Sequence, residues 1–464
     1  MIKARFARFA RNLQAGLMMV AGTAATVPPA IAAPVVQASS QPSPACGQLG
    51  DAQYYSDESF LFIRKGKGDW LFRSRTDFNV FPPVASPLVE NFTRLNKKLK
   101  ASNVRLVVLV TPPRGAMMRD FIEPGTPGTE RYSPDVAMQA YQRSLDRLRG
   151  AGIIVPNVTA TARDAGLTLP GRDRQFYLSA DTHWTDYGAY VSANATAREL
   201  APLAEYRNMP KVEFKTVPGA IGDEQQLLRR EASRICKTTY RADKIKVFET
   251  TEAQGTGASL LDGGGVDVAL VGTSFSARTT ANFGGFLRQE LHTNVANYSI
   301  SGGGFEASIL SYLLSNDYRN AKPKLLIWEM QYHNLDATEG FPLILGAVDG
   351  DCGKAALVSS KPVPVKLGQT SVASFDNGQR SKIKGAANLV VNLTSPDARR
   401  YHVYAHYTDG RQDRFNIDAS RWTYPANKMI IRLPRDGGDL AGVSLVPDQR
   451  LSGTVSAHVC RASA

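Results

Sequence analysis

Apolar runs alternate with helically spaced segments over the first three quarters of the chain. The continuous apolar run 104–110 ends at Thr111-Pro112-Pro113, which indicates a buried strand. Residues 134–149 have apolar positions at helical spacing, with Ser133 as the cap and Gly150 past the end. Further helices are predicted over 186–203, 283–291 and 305–314, and extended segments over 152–155, 266–272, 295–300 and 324–330. Strands alternating with helices predict a parallel, doubly wound α/β sheet.

The pattern changes after Gly350, where short alternating segments replace the helical periodicity. The segments with this alternation are 387–393, 400–407, 428–433, 442–445 and 454–459. Turn sequences such as Asp409-Gly410 lie between them, as between antiparallel strands. We therefore predict an α/β domain over 46–350 and a small all-β sandwich over 351–464.

The first 32 residues are typical of a secretory signal peptide. Basic residues precede an apolar stretch over 17–27, and Ala30-Ile31-Ala32 offers a cleavage site after Ala32. An uncleaved membrane anchor is the alternative, but the apolar stretch is short and broken by glycine and proline. Residues 33–45 are rich in proline, serine and glutamine, which predicts a flexible leader. We expect a protein exported to the periplasm.

The basic charge is concentrated in the last quarter of the chain. The 464 residues have 43% hydrophobic and 21% charged side chains, which excludes a wholly disordered or fibrous protein, and their net charge is +13. From Cys352 onwards there are 16 basic residues, eight aspartates and no glutamate. This surplus favours contact with a polyanion, although a solvated basic surface has the same composition. Export makes nucleic acid a poor candidate for that polyanion.

The chain has four cysteines, Cys46, Cys236, Cys352 and Cys460. An even number in an oxidising compartment favours disulfides. Three pairings are possible, and the simplest places one bridge in each predicted domain, Cys46–Cys236 and Cys352–Cys460. The C-x-x-C spacing of a zinc site is missing, so no metal is predicted.

Two short motifs of the α/β part carry residues suited to acyl transfer. Gly272-Thr273-Ser274 ends a predicted strand, and ligands of open α/β sheets bind beyond the carboxyl ends of the strands. Asp181-Thr182-His183 precedes a predicted helix, and an Asp two residues from a His can orient the imidazole. Together the motifs offer a nucleophile, a base and an orienting carboxylate. Taken singly, the Gly-Thr-Ser motif is also typical of an ordinary turn and helix cap, and the Asp-x-His motif is also compatible with a structural histidine.

These motifs resemble those of the SGNH-hydrolase-like exopolysaccharide O-acetyltransferases. The chain shares with that family Asp181-Thr182-His183-Trp184, the later Gly272-Thr273-Ser274 and a hairpin with Gly68-Asp69-Trp70-Leu71-Phe72. The resemblance covers nearly the whole mature chain. It implies an SGNH-hydrolase-like parallel sheet followed by a β-sandwich that binds carbohydrate. It also implies Ser274 as nucleophile, His183 as general acid and base, and Asp181 as the orienting residue.

The resemblance further implies an acidic polysaccharide substrate such as polymannuronate or alginate. The implied partners are a membrane acyltransferase that exports acetyl groups and a periplasmic export complex, and no cofactor is expected for what we take to be a monomer. An exported carbohydrate esterase with the same triad is an alternative, because the two reactions differ only in the final acceptor. A non-catalytic polysaccharide-binding scaffold is a second alternative, which the basic last quarter alone would support.

Further residues are candidates for contacts with the oxyanion, the substrate and the polysaccharide. The Ser274 N–H, Gly303 and Arg114 are candidates for stabilising an oxyanion, and Tyr332 for a substrate contact or for packing. Candidates for binding polysaccharide are guanidinium groups that can pair with carboxylates and rings that can stack on sugars: Arg399, Arg400, Arg411, Arg414, Tyr407 and Trp422. We expect Tyr404 to lie in the core of the sandwich.

Overall fold

A computed structural model describes residues 43–169, 173–253 and 266–462, except for the side chain of Lys246. The predicted signal peptide and all of the predicted leader before Ser43 lie outside the described residues. The strands are β1 (Ile63–Lys65), β2 (Leu71–Arg73), β3 (Arg105–Thr111), β4 (Phe214–Glu224), β5 (Asp243–Glu252), β6 (Val268–Val271), β7 (Val295–Asn297), β8 (Leu325–Gln331), β9 (Val358–Ser359), β10 (Val363–Pro364), β11 (Thr370–Ser374), β12 (Ala387–Leu393), β13 (Arg400–Tyr407), β14 (Gln412–Asp418), β15 (Lys428–Arg432), β16 (Leu440–Pro447) and β17 (Thr454–Arg461). The helices are α1 (Ser74–Asp77), α2 (Ser86–Ala101), α3 (Arg114–Met117), α4 (Pro134–Gly150), α5 (Val158–Ala162), α6 (Asp186–Leu200), α7 (Ala204–Arg207), α8 (Leu227–Ile235), α9 (Ser274–Ala277), α10 (Phe283–Leu291), α11 (Glu306–Leu314), α12 (Asn316–Asn320), α13 (Phe341–Asp349) and α14 (Asn377–Lys382).

A parallel sheet with the strand order β3-β8-β6-β7 carries the candidate site. Successive side chains of a strand point to opposite faces, and β3 shows this directly. Leu106 and Val108 belong to the same core cluster as residues of α2, α4, α11 and α13, whereas Val107 and Leu109 belong to a second cluster with residues of α6 and α10. Helices therefore cover both faces, which confirms the predicted doubly wound α/β sheet.

Local sequence signals place several elements of this layer correctly. The helix predicted over 283–291 is α10, and the helix predicted over 134–149 is α4 with one further residue. Ser133 caps α4 by accepting a hydrogen bond from the Val136 N–H at 3.3 Å. The strand predicted over 152–155 was wrong in extent, because only a single parallel bridge, between Val107 and Ile154, forms there.

A long antiparallel ribbon of β4 and β5 has no counterpart in the sequence prediction. The segment between the two strands contains α8 and Cys236, which forms a disulfide with Cys46. The Leu228 N–H at the start of α8 donates to the Ala180 carbonyl at 3.0 Å. The ribbon and its connection thus support the Asp-x-His loop from one side.

The last quarter of the chain forms two antiparallel sheets, as predicted. One has the order β10-β17-β12-β15, with β9 also pairing with β17, and the other has the order β11-β16-β13-β14. Their core continues into the α/β part through α13, where a Cβ at Gly346 would lie 2.2 Å from the Ile430 carbonyl of β15. The Cys352–Cys460 disulfide links the start of this region to β17. Within the described ranges, no helix is long and apolar enough to cross a membrane.

Candidate active site

Ser274 stands at the carboxyl edge of the parallel sheet. Strand β6 ends at Val271 and α9 begins at Ser274, so the Gly-Thr-Ser motif forms the turn between them. Thr273 caps α9, because its Oγ1 accepts a hydrogen bond from the Phe275 N–H at 3.3 Å. The turn leaves Ser274 partly exposed, whereas Thr273 and Phe275 are buried. This is the edge at which open α/β sheets bind ligands.

The Asp-x-His motif lies on a tight loop that is docked onto this turn. Tyr177 and Trp184 form an antiparallel bridge that closes the loop, and the Leu178 N–H donates to the His183 carbonyl at 3.1 Å. The Trp184 Nε1–H donates to the Phe275 carbonyl at 2.9 Å, which joins the loop to the start of α9. Backbone bonds and the Trp184 indole therefore hold the two motifs together independently of any contact between their functional groups.

The structure brings Ser274, His183 and Asp181 into one hydrogen-bonded chain. His183 Nε2 lies 2.7 Å from Ser274 Oγ, and His183 Nδ1 lies 2.6 Å from Asp181 Oδ1. His183 is 4% exposed and Asp181 is fully buried. When the Nδ1 proton is held by the carboxylate, Nε2 is left with its lone pair towards the serine hydroxyl. The arrangement can remove a proton from Ser274 and return it to a leaving group.

The surroundings of Asp181 keep its carboxyl group ionised. Burial acts to raise its pKa, but His183, the Arg278 charge and a bond from the Leu227 N–H outweigh burial and hold the pKa below its usual range. The Leu227 N–H lies 2.5 Å from Asp181 Oδ2, and Arg278 Nη1 lies 3.5 Å from Oδ1. Arg278 also forms an ion pair with the buried Glu224 at the end of β4. The orienting carboxylate thus remains an acceptor for the imidazole.

Sequence reasoning missed Arg278, Glu224 and a fully buried glutamate, Glu329. Glu329 Oε2 accepts hydrogen bonds from the Thr273 N–H at 2.8 Å and from Ser276 Oγ at 2.9 Å. The signal for Glu329 was present, because it is an acidic residue in the apolar strand β8. The roles of Arg278 and Glu224 had no comparable local signal.

Arg114 is not placed as an oxyanion donor by the structure. Its side chain is buried, and Nη1 lies 3.0 Å from Asp77 Oδ2. Its Nη2 donates to the carbonyls of Leu178 and Ser179 at 2.8 and 2.9 Å. The guanidinium therefore secures the start of the Asp-x-His loop. Burial lowers the pKa of Arg114, and the Asp77 carboxylate opposes that effect.

The structure gives Tyr332 and Gly303 contacts other than the substrate and oxyanion roles considered for them. Tyr332 is buried, and its hydroxyl donates to the Phe81 carbonyl at 3.1 Å, so it is a packing residue. Gly303 lies in the wall of a cleft of about 660 Å³ between the α/β part and β14. The cleft also contains Glu306, Arg421 and Trp422.

Burial and the charges of Glu339 and Asp418 raise the pKa of Glu306, one of the residues that line this cleft.

The predicted polysaccharide-binding residues separate into exposed and buried groups. Arg400, Arg411 and Arg414 are exposed, whereas Tyr407 and Trp422 are buried and cannot present their faces to a polymer. Arg399 is also unsuitable, because its Nη1 lies 2.9 Å from the Trp422 carbonyl and also donates to those of Ala419 and Tyr424.

Tyr404 is the reverse case, since it was expected in the core. It is only half-buried, and the Arg414 guanidinium lies 6.0 Å from its ring centroid. The reason is the alternation along β13, where Tyr401, Val403, Ala405 and Tyr407 face inwards. Tyr404 and Arg400 therefore share the outer face of the strand.

The fold and the site define an SGNH-hydrolase-like protein with a serine, a histidine and an aspartate at the carboxyl edge of a parallel sheet. The family model for the SGNH hydrolase-like domain of the acetyltransferase AlgX matches residues 63–332. The chain belongs to this family.

Individual relatives agree with this assignment. The chain is 30% identical to the alginate biosynthesis protein AlgX of Pseudomonas syringae pv. tomato over 404 residues, which are 84% of this chain and 81% of that protein. It is 29% identical over 272 residues to the probable alginate O-acetylase AlgJ of Azotobacter vinelandii, covering 57% of this chain and 67% of that one. The structure of Pseudomonas aeruginosa AlgX superposes with a TM-score of 0.75 at 23% identity, covering 90% of this chain and 99% of that one. This last similarity concerns the fold.

Proposed function

We propose that the protein is a polysaccharide O-acetyltransferase that acetylates alginate or a similar acidic exopolysaccharide. The observation that carries the proposal is the continuous chain from Ser274 Oγ through His183 to the buried Asp181. The names of the AlgX and AlgJ relatives supply the class of substrate. Family membership supports acetyl transfer as the reaction.

In the first half-reaction, Ser274 Oγ attacks the carbonyl carbon of an acetyl donor. His183 Nε2 takes the serine proton as the new C–O bond forms, and Asp181 stabilises the resulting imidazolium. Ser274 is the first residue of α9, where the amide has no acceptor inside the helix, so its N–H can donate to the oxyanion. Collapse of the intermediate breaks the bond to the leaving group, which receives the proton from His183, and leaves an acetyl-serine.

In the second half-reaction, a hydroxyl group of the polymer replaces the donor. His183 Nε2 removes its proton as the sugar oxygen attacks the acetyl-serine carbonyl. The intermediate then releases Ser274 Oγ, which recovers the proton, and the acetylated sugar departs. Water at the same position would give free acetate instead, which is the reaction of an esterase.

Exposed basic residues of β13, β14 and their connecting turn would hold the polymer as part of a carbohydrate-binding module over 351–464. Arg400 and Arg414 are exposed on these adjacent strands, and Arg411 is exposed at the turn. The half-buried Tyr404 ring lies on the outer face of β13, with the Arg414 guanidinium 6.0 Å from its centroid, and offers a surface on which a sugar can stack. Guanidinium groups match the two oxygens of a uronate carboxylate.

The expected location of the protein restricts the source of its acetyl groups. The signal-peptide pattern supports export to the periplasm, where acetyl-CoA is not available. The acetyl donor would therefore come from a membrane acyltransferase, with the polymer supplied along an export complex.

A two-acceptor assay tests the proposal. The mature protein is incubated with 4-nitrophenyl acetate, with or without mannuronate oligomers, and the sugars are analysed by mass spectrometry. We expect oligomers heavier by one acetyl group per transfer, and an acetylated Ser274 in the absence of oligomers. Release of acetate with unmodified sugars would identify an esterase. Binding of oligomers without any turnover of the ester would identify a scaffold.

A further inference from the structure

A fully buried carboxylate lies directly behind the turn that carries Ser274. Glu329 belongs to β8, which pairs with β6, and its side chain has no exposed surface. Leu325 and Ile327 on the same face of the strand are core residues. Burial raises the pKa of Glu329 to about 7. A carboxylate in such a place is costly unless hydrogen-bond donors surround it.

The donors around Glu329 belong to the residues on either side of Ser274. Its Oε2 accepts from the Thr273 N–H at 2.8 Å and lies 3.0 Å from Thr273 Oγ1, and Ser276 Oγ lies 2.9 Å from the same oxygen. Oε1 also lies 3.1 Å from Thr273 Oγ1. A Cβ at Gly272 would lie 2.7 Å from Oε2, so the carboxylate packs closely against the turn. One side chain thus holds the backbone before Ser274 and the side chain two residues after it.

We propose that Glu329 is a positioning residue that holds the Ser274 turn in the geometry required for acetyl transfer. The inference rests on the proposed function. Acylation needs Ser274 Oγ close to His183 Nε2 and the Ser274 N–H directed at the oxyanion, and both depend on the backbone of this turn. The adjacent Thr273 N–H is anchored by Glu329, which fixes the direction of the next amide.

Two substitutions at Glu329 separate positioning from packing. Glu329→Met keeps a side chain of similar length and removes both carboxylate oxygens, leaving only a weakly accepting thioether, whereas Glu329→Gln keeps one oxygen for the Thr273 N–H. Glu290→Gln is the matched control, because Glu290 is a half-buried glutamate whose carboxylate accepts from Asn194 and Gln289. The rate at which 4-nitrophenyl acetate acetylates Ser274 is measured by stopped flow, together with KM and the midpoint of thermal unfolding.

We expect Glu329→Met to acetylate Ser274 about 10- to 100-fold more slowly, since small displacements of reacting groups cost rates of this size. Its KM and unfolding midpoint stay close to those of Glu329→Gln, and the Gln variant recovers most of the rate. A wild-type rate in the Met variant, or an equal loss in both variants, would overturn the inference. Failure of the wild-type protein to acetylate Ser274 would instead overturn the proposed function.

A second variant covers the case in which Glu329→Met does not fold. Glu329→Asp keeps a carboxylate but shortens the side chain by one methylene, which withdraws both oxygens from the Thr273 N–H, Thr273 Oγ1 and Ser276 Oγ and leaves the Thr273 cap of α9 in place. Slower acetylation of Ser274 at an unchanged KM supports the positioning role. An unchanged rate contradicts it.

Discussion

His183 Nε2 lies 2.7 Å from Ser274 Oγ, although the two residues are 91 positions apart in the chain. The Trp184 indole, bonded to the Phe275 carbonyl, holds the adjacent residues together independently of that contact. Removal of the serine hydroxyl should therefore leave the two loops docked.

Ser274→Ala should abolish acetyl transfer and leave both the unfolding midpoint and polymer binding unchanged. Loss of a nucleophile costs several orders of magnitude in rate because the other residues act through it. Transfer to mannuronate oligomers is measured by mass spectrometry, with the exposed Ser59→Ala as control. A variant that keeps a tenth of the wild-type transfer would remove Ser274 from the mechanism.

Asp181→Asn should lower kcat/KM for 4-nitrophenyl acetate by roughly 10³- to 10⁴-fold, by analogy with other Ser-His-Asp sites. The amide cannot hold the imidazole with its proton on Nδ1, so Nε2 no longer faces Ser274 as a base. The steady-state rate over pH 5–9 is the measurement. Near-normal activity at any pH would show that the 2.6 Å contact between Asp181 and His183 is structural only.

Glu329 should make folding stability fall as the pH rises. Its folded-state pKa of about 7 lies above the ordinary value of 4.5, so the folded protein binds the extra proton between these values. The stabilisation is full below about pH 4.5 and is lost as the pH rises to 7, with a magnitude of the order of 1–3 kcal/mol.

Urea unfolding at pH 5 and pH 7 tests this expectation. The unfolding free energy at pH 5 minus that at pH 7 should be more positive in the wild type than in Glu329→Gln, because the glutamine cannot titrate. Glu290→Gln should match the wild type. Identical pH dependence in the wild type and Glu329→Gln would contradict the raised pKa.

The disulfides should stabilise the protein as the pairs Cys46–Cys236 and Cys352–Cys460. The second closes a loop with a sequence separation of 108, for which loop entropy gives an upper limit of ~4–5 kcal/mol. Replacing Cys352 and Cys460 by serine should lower the unfolding midpoint. Peptide mapping without reduction identifies the pairs, and a peptide joining Cys236 to Cys352 would contradict the structure.

Arg400→Ala combined with Arg414→Ala should weaken polyuronate binding without changing activity on the small ester. Exposed charge pairs contribute only ~0–1 kcal/mol each, so affinity should also rise with oligomer length and fall with salt. The control is Lys361→Ala with Lys382→Ala, which removes the same charge from other exposed positions of the last quarter of the chain. Equal losses in the two double variants would indicate a general charge effect and no defined binding face.

The sequence by itself determined the elements whose signals are local. Apolar runs and alternation are properties of neighbouring residues, so β3, α10, β12 and β13 could be predicted closely. The Asp-x-His spacing brings the Asp181 carboxylate and the His183 ring to one loop. The resemblance carried by the short motifs then singled out Ser274 as their partner.

The tertiary structure alone decided which side chains are available for chemistry. Arg399 and Arg114 are ordinary arginines in sequence, yet carbonyls from other segments occupy their guanidinium groups. Tyr404 was expected in the core and Tyr407 on the surface, but the structure shows the reverse. Alternation along β13 turns the two side chains to opposite faces of the sheet, and packing against other segments decides which face is the core. Glu329 contacts the Ser274 turn only because β8 pairs with β6. A side chain's partners and burial depend on segments distant in sequence, whereas the tendency to form a helix or strand depends mainly on its neighbours.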